Sequence, residues 1–189
     1  GISLQDLAQI VYYRGHELPP GTNAELIATA SFSIEGIPFV FTNSAMGCLV
    51  DVDVDTGLTK IEKFWAVEDC GTQINPKLVE EQIRGGVVQG IGGALYEECI
   101  YDEMGNLTNG NMADYLVPMA YEMPDIIVDH VTTNSGRSIL GAKGAGEAGT
   151  GGAPGAIMNA INDALISLNT EVTSQPITPE KVLKALGKI

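Results

Sequence analysis

The feature that most limits the fold is a glycine-rich helix in the middle of the chain. Asn75-Pro76 is typical of a helix start, because an asparagine cap is followed by proline at the first helical position. Apolar residues then recur at helical spacing to about residue 98. The helix also contains Gly85, Gly86, Gly90, Gly92 and Gly93. Each glycine costs about 1 kcal/mol relative to alanine inside a helix, so we predict that something large packs closely against this one.

The other patterns predict an α+β fold with a mixed sheet and packed helices. A helix is expected over 3–13 with Ser3 as its cap, and a last helix opens at Thr178-Pro179-Glu180. Stretches rich in β-branched and aromatic residues predict strands at 26–34, 38–42, 48–54, 58–67, 115–120 and 126–133. Between the predicted elements lie a turn at 102–111, a glycine-rich loop at 141–155 and a helix at 156–168. The sequence contains no linker long enough to separate domains, so we predict that residues 1–189 belong to a single portion.

The charge of the chain argues against some partners. Its formal net charge is -14, and only ten Lys and Arg are scattered along 189 residues. A phosphate-binding face needs clustered cations, so we expect no nucleic acid and no anionic membrane as partner. The three cysteines form no Cys-x-x-Cys pair, which indicates neither a zinc site nor an iron–sulfur cluster. With no signal peptide and no apolar run long enough to cross a bilayer, a cytoplasmic location is expected.

The glycine-rich loop contains one carboxylate, Glu147, among residues with little or no side chain. The run from Gly144 to Gly149 matches the spacing G-x-G-x-x-G of a dinucleotide-binding turn. Only Ser138-Ile139-Leu140 precedes it, however, and Glu147 would occupy the place of the phosphate. A flexible turn before a helix is the other interpretation. The composition alone leaves these two interpretations open. A third is a binding site in which a bulky ligand approaches the backbone amides and the acid.

Three further groups of polar residues have alternative interpretations. Asp51, Asp53, Asp55 and Glu62 resemble a calcium loop, but the alternation with valines favours a strand whose acids are solvated. Gln82 and Gln89 are seven residues apart, so their amides point the same way from one helix. His16 and His130 are too few and too separated for a metal cluster and are expected to be structural.

Three blocks taken together resemble the molybdenum hydroxylases, the large subunits of xanthine oxidase, aldehyde oxidoreductase and aerobic carbon monoxide dehydrogenase. The first block is 68–76, with Glu68-Asp69-Cys70-Gly71, and the second is 82–98, from Gln82 to Glu98. The third is 141–147, Gly-Ala-Lys-Gly-Ala-Gly-Glu, with 159–165 behind it. The order and spacing of the blocks fit this family, and the resemblance covers nearly the whole chain. The three blocks together are far more specific than any one of them.

The resemblance implies roles for individual residues. Glu147 matches the catalytic base, which takes a proton from a molybdenum-bound hydroxide while water-derived oxygen enters the substrate. Gln82, Lys143, Gly144, Ala145 and Gly146 match positions that contact the pyranopterin. The metal itself is held by the pterin dithiolene, so no protein ligand is expected. Alanine, glycine and threonine follow Glu147, closer to carbon monoxide dehydrogenase-like and bacterial hydroxylases than to the animal purine and aldehyde enzymes.

The resemblance also implies a larger assembly. The chain matches the C-terminal part of the molybdenum subunit, as a fragment or a split subunit that is inactive alone. The cofactor expected is a molybdenum-pyranopterin, as molybdopterin cytosine dinucleotide. Expected partners are the N-terminal part of the subunit, an iron–sulfur subunit and a flavin subunit carrying FAD, together with a small N-heterocycle, purine or aldehyde as substrate. The alternative is a non-catalytic assembly or cofactor-insertion module with the same fold.

Overall fold

The computed structural model describes residues 1–34, 36 and 39–189, and it divides into two compact units, 1–37 and 38–189. The first unit contains helix α1 (Leu4–Tyr13), whose first turn is capped by the Ser3 hydroxyl accepting from the Asp6 amide at 3.1 Å. A short 3-10 helix, Gly15–Glu17, follows. The helix predicted over 3–13 is therefore confirmed.

The strand predicted at 26–34 is wrong, because these residues are irregular and lie outside any strand. Residues 26–33 are all exposed, so no neighbouring strand or core receives their apolar side chains. Strand propensity measures the fit of a side chain to a pleated, half-buried surface, and that surface is missing here. Of the strand predicted at 38–42, residue 38 is outside the described residues and 39–42 lie outside any strand.

The second unit is built on a three-stranded sheet in the order β1-β2-β3. β1 (Asn43–Val52) and β2 (Thr59–Asp69) form an antiparallel pair with an irregularity between Leu49 and Val50. β3 (Asp125–His130) runs parallel to β2, so the two are joined by a long crossover. The strands predicted at 48–54, 58–67 and 126–133 are confirmed with shifted ends, and the α+β class is confirmed.

The turn between β1 and β2 is formed by local hydrogen bonds of Asp53. Its carboxylate accepts from the Asp55 amide at 2.9 Å and from the Thr56 hydroxyl at 2.8 Å. Val50, Val52 and Val54 are half-buried, whereas the acids between them are exposed. The alternation therefore places the acids in solvent as the strand interpretation predicts, and the carboxylate of Asp53 closes a turn.

Two helices cover one face of the sheet. They are α2 (Pro76–Leu95), capped by the Asn75 side chain at the Leu78 amide, and α3 (Ala148–Leu165). The core between helices and sheet is formed by Phe64, Ala66, Ile83, Val87, Ile91, Ile126, Ile157, Ile161 and Leu165. A short helix α4 (Pro179–Ala185) begins at the predicted Thr178 cap. Among the described residues, no helix is long and apolar enough to cross a membrane.

The ends of two helices and the structure of one predicted strand differ from the sequence-based expectation. α3 begins at Ala148, so half of the loop predicted at 141–155 is helical. The glycines there are tolerated because the start of α3 crosses α2 at backbone contact distance. The strand predicted at 115–120 is wrong, since residues 115–119 are irregular and a 3-10 helix, Ala120–Glu122, follows. α2 ends at Leu95, three residues before the expected end at 98.

Candidate active site

The candidate site is the short loop that leads into α3. Glu147 is the residue before the helix, and its carbonyl accepts from the Gly151 amide at 3.2 Å. Its side chain is exposed and makes no capping hydrogen bond to the helix. Since it caps no helix among the described residues, this carboxylate can act on a bound group, while the backbone beneath it is fixed to the first turn of α3.

A cavity of about 550 Å³ lies beside this carboxylate. One wall is the run from Gly144 to Ala148 with Gly151 and Gly152, and the other includes Thr42 and Ser44. A Cβ atom added at Gly144 or Gly146 would meet nothing within 4 Å, so the backbone of this wall is uncovered on the open side. A ligand can thus approach the peptide groups of the loop directly.

Two glutamines of α2 reach this region. The Gln82 side-chain amide donates to the Gly146 carbonyl at 2.7 Å. Two helical turns after Gln82, the side-chain oxygen of Gln89 accepts from the Thr150 hydroxyl at 3.2 Å. Both amides therefore point toward the start of α3, as their seven-residue spacing predicts. Gln82 holds the residue immediately before Glu147.

The helix crossing that brings these groups together requires glycine on both sides. A Cβ atom at Gly86 would lie 3.1 Å from the Gly149 Cα, and one at Gly149 would overlap the Ile83 carbonyl oxygen. At Gly90 it would lie 2.7 Å from the Ala153 Cβ. The predicted close partner of the glycine-rich helix is therefore α3, at least along this side of α2.

Lys143, at the start of the loop, is bound within the protein. Its ammonium lies 2.9 Å from an Asp69 carboxylate oxygen, and its side chain is only 8% exposed. The Lys143 ammonium and hydrogen bonds from Thr133 hold the pKa of Asp69 well below its usual range. Lys143 is not among the cavity-lining residues, whereas Gly144, Ala145, Gly146 and Glu147 are. Its contact with a pyranopterin stays a prediction, and its ammonium is already paired.

Sequence reasoning missed the chemistry of Glu68. This residue is 1% exposed, and neither carboxylate oxygen has a hydrogen-bond partner among the described residues. Burial raises its pKa to about 7. In the strand register Glu68 pairs with Ser44 on one side and His130 on the other, and His130 Nδ1 is also buried without a partner. The alternation Phe64, Ala66, Glu68 was the available signal, because it places Glu68 on the core face.

Comparisons with known proteins identify the family. A model of the molybdopterin cofactor-binding domain matches residues 1–124. The nicotine 6-hydroxylase large subunit of Paenarthrobacter nicotinovorans is 41% identical over 97% of this chain and 22% of its own length. The carbon monoxide dehydrogenase large chain of Afipia carboxidovorans is 36% identical over 84% of this chain and 19% of its own length.

Solved structures agree with the sequence relatives. Quinoline 2-oxidoreductase from Pseudomonas putida 86 superposes with a TM-score of 0.83 at 41% identity, covering 95% of this chain and 22% of that one. The Cu,Mo-containing CO dehydrogenase gives 0.84 at 33% identity, covering 99% and 23%. The chain belongs to the molybdopterin cofactor-binding domains of molybdenum hydroxylase large subunits. It spans about a fifth of the length of these relatives.

The residues around Glu147 fit the cofactor that the family implies. The uncovered backbone at Gly144 and Gly146 and the 550 Å³ cavity leave room for a ligand with many acceptors to lie along the loop. The described residues contain no group of three or more His, Cys, Asp or Glu arranged to hold a metal ion. The groups that this loop exposes toward the cavity are therefore backbone peptide groups, which a ligand can approach without meeting a side chain at Gly144 or Gly146.

Proposed function

We propose that this chain forms part of the catalytic site of a molybdenum-dependent hydroxylase in which Glu147 is the general base. The observation that carries the proposal is the exposed Glu147 carboxylate at the edge of an open cavity, on a backbone that is hydrogen-bonded both before and at this residue. The Gln82 side chain binds the carbonyl of Gly146, the residue before Glu147, and the Gly151 amide donates to the carbonyl of Glu147. A base must be held within hydrogen-bond reach of its proton, and this arrangement provides that without using the carboxylate itself.

When bound, the molybdenum–pterin group supplies an activated oxygen derived from water and accepts the two electrons of the oxidation. Glu147 accepts the proton of that oxygen at one of its carboxylate oxygens. Gly144, Ala145 and Gly146 offer peptide groups to the pterin, since no bulky side chain stands between them and the cavity. Gln82 keeps the Gly146 peptide in place through its 2.7 Å hydrogen bond. The contribution of these residues is mainly orientation of the base.

The substrate class that we propose is a small N-heterocycle. Two relatives at 41% identity are named as a nicotine 6-hydroxylase and a quinoline 2-oxidoreductase, and both substrates contain a nitrogen heterocycle. Relatives named for carbon monoxide and xanthine are 36% and 34% identical. A purine or an aldehyde is therefore a second choice. The relatives are named as enzymes, so the alternative of a non-catalytic assembly or insertion module is not favoured.

The rest of the assembly follows from the same relationship. Because the chain spans about a fifth of its relatives, we propose that the remaining part of the large subunit completes the cavity. We also propose molybdopterin cytosine dinucleotide as the cofactor form, with iron–sulfur clusters and FAD on partner subunits that carry the electrons away. The name of one relative, a dehydrogenase complex subunit, supports a multi-subunit enzyme.

The test replaces Glu147 with Gln in the complete enzyme. We expect kcat to fall by about 10²- to 10⁴-fold, because a lost general base typically costs that much. Molybdenum and pterin content should stay at the level of the unaltered enzyme, since the Glu147 side chain is exposed and does not cap α3. The matched control is Glu103→Gln, the same change at an exposed glutamate in the turn that follows α2. Turnover of Glu147→Gln equal to that of the control would show that the proposed base is wrong.

A further inference from the structure

We infer that Asp69 and Lys143 form a clamp that positions the Gly144–Glu147 loop, so that Asp69 is a positioning residue for the Glu147 carboxylate. The inference rests on the proposed role of Glu147. It concerns a residue at the end of β2 that neither lines the cavity nor reaches the reacting atoms.

Asp69 joins three separate parts of the chain. One carboxylate oxygen accepts from the Gly71 amide and from the Thr133 amide, each at 3.0 Å. The other oxygen binds the Lys143 ammonium at 2.9 Å. The carbonyl of Asp69 accepts from the hydroxyl of Thr42, which lines the cavity opposite the loop. A single buried residue thus links the end of β2, the segment after β3, one wall of the site at Thr42, and Lys143, which directly precedes the other wall.

The backbone around this ion pair reinforces the attachment. The Lys143 amide donates to the Cys70 carbonyl at 2.7 Å, and Gly71 pairs with Ala142 in an isolated antiparallel bridge. Gly71 has a φ of +64°, and a Cβ atom there would overlap the Gly141 carbonyl oxygen. The chain at 141–143 is therefore pressed against 70–71, and only glycine permits this approach.

The loop is consequently held at both ends. Lys143 is bound by Asp69 and Cys70, and Gly146 is bound by Gln82. Only Gly144 and Ala145 lie between these two attachments. Because one residue spans at most about 3.6 Å, two residues fixed at both ends have little freedom to move. The position of the next residue, Glu147, is set by the same two attachments.

Burial makes the two charges depend on each other. The side chains are 8% and 12% exposed, so water does little to solvate either charge once its partner is removed. Removing one charge would drive the other toward solvent and carry residue 143 or the end of β2 with it. Because the Lys143 ammonium is paired with Asp69 and Lys143 does not line the cavity, its role in this inference is to hold the loop.

The experiment uses the complete, cofactor-loaded enzyme and compares Asp69→Asn, Lys143→Met and Lys143→Arg. Hydrogen exchange of a peptide covering 141–152 is measured beside kcat and KM. We expect Asp69→Asn and Lys143→Met to accelerate exchange at 144–147 by about tenfold or more, because the local opening becomes easier. We expect kcat to fall by about 10- to 100-fold with KM unchanged, since misplacement of a base by about 1 Å has that effect. Lys143→Arg, which keeps the cation, should have a kcat and a rate of loop exchange close to those of the unaltered enzyme.

The matched control is an exposed ion pair of the same kind, Lys188 with Asp55 at 2.6 Å. Asp55→Asn and Lys188→Met should leave loop exchange and kcat unchanged. Loop exchange and kcat in Asp69→Asn equal to these controls would overturn the clamp. If Asp69→Asn does not assemble, the comparison of Lys143→Met with Lys143→Arg decides, because equal losses in both would also overturn it.

The exchange measurement separates this inference from the proposed function. It reports loop position and does not depend on what Glu147 does. Normal turnover of Glu147→Gln with faster exchange in Asp69→Asn would reject the base and keep the loop attachment. Slow turnover of Glu147→Gln with unchanged exchange and kcat in Asp69→Asn would keep the base and reject the clamp.

Discussion

The two sides of α2 carry glycine for different reasons. Gly86 and Gly90 are buried, and a Cβ atom at either would lie within 3.1 Å of an atom of α3. Gly85 and Gly93 are exposed, and a Cβ atom at either would meet nothing within 4 Å. Glycine is therefore required on the packed side of α2. One position away, on the open side, it lowers helix stability and no close contact in this chain compensates for that loss.

The largest effect is expected at the crossing itself. Gly149→Ala should lower the free energy of unfolding by about 3 kcal/mol, because the new methyl group overlaps the backbone of Ile83, which cannot move aside as a side chain can. Urea denaturation of the chain followed by circular dichroism measures this. Gly151→Ala, in the same turn but with open space at its Cβ position, is the matched control. Equal stability of the two variants would mean that the crossing is not close-packed.

An intermediate effect is expected from Glu68, which lies on the face of the sheet that the helices cover. Its raised pKa means that its contribution to stability is fully present below the unfolded pKa near 4.5 and is lost as pH rises toward 7. Glu68→Gln removes this charge and should be more stable than the unaltered chain above pH 7, on the order of 1–3 kcal/mol.

The measurement is the stability difference between Glu68→Gln and the unaltered chain at a series of pH values. It should grow between pH 4.5 and 7 and then level off. Asp69 changes stability in the opposite direction at acid pH, because its pKa is lowered, but that contribution cancels in the difference. A difference that does not vary with pH would show that the Glu68 carboxyl is solvated or paired.

The smallest effect is expected on the open side of α2. Gly85→Ala and Gly93→Ala should each raise the free energy of unfolding by about 0.5–1 kcal/mol, since alanine loses less backbone entropy in a helix and meets no neighbour here. Gly86→Ala, one position away on the packed side, should lower it. The same denaturation experiment applies. A loss of stability at Gly85 or Gly93 would mean that the two sides do not differ.

Much of the architecture could be predicted from local pattern. The Ser3, Asn75 and Thr178 caps mark the true starts of three helices, because capping is decided by a few adjacent residues. The strands β1 and β2 follow from stretches rich in β-branched and aromatic residues. The stretches at 26–34 and 115–120 have strand composition without a partner strand, and composition alone could not reveal that.

The candidate site was predicted in part. Glu147 and Gln82 were selected from sequence, and in the structure the Gln82 side chain donates to the carbonyl of Gly146, the residue before Glu147. The start of α3 was placed too late, since its glycines indicate a loop until the crossing with α2 is known. The sequence shows neither that the Glu68 carboxylate is without a hydrogen-bond partner among the described residues nor that Lys143 pairs with Asp69.

What the sequence by itself determined is the four helices, three of their caps, the three strands of the sheet, the family and the position of one acid in a glycine-rich run. These depend on neighbours within a few residues or on motif spacing, which the chain carries explicitly. Only the tertiary structure decided which glycines are needed, that α3 extends back to Ala148, and that Lys143 binds Asp69 from 74 positions away along the chain. Contacts between distant segments depend on how whole elements pack, and local residue preferences contain no record of that.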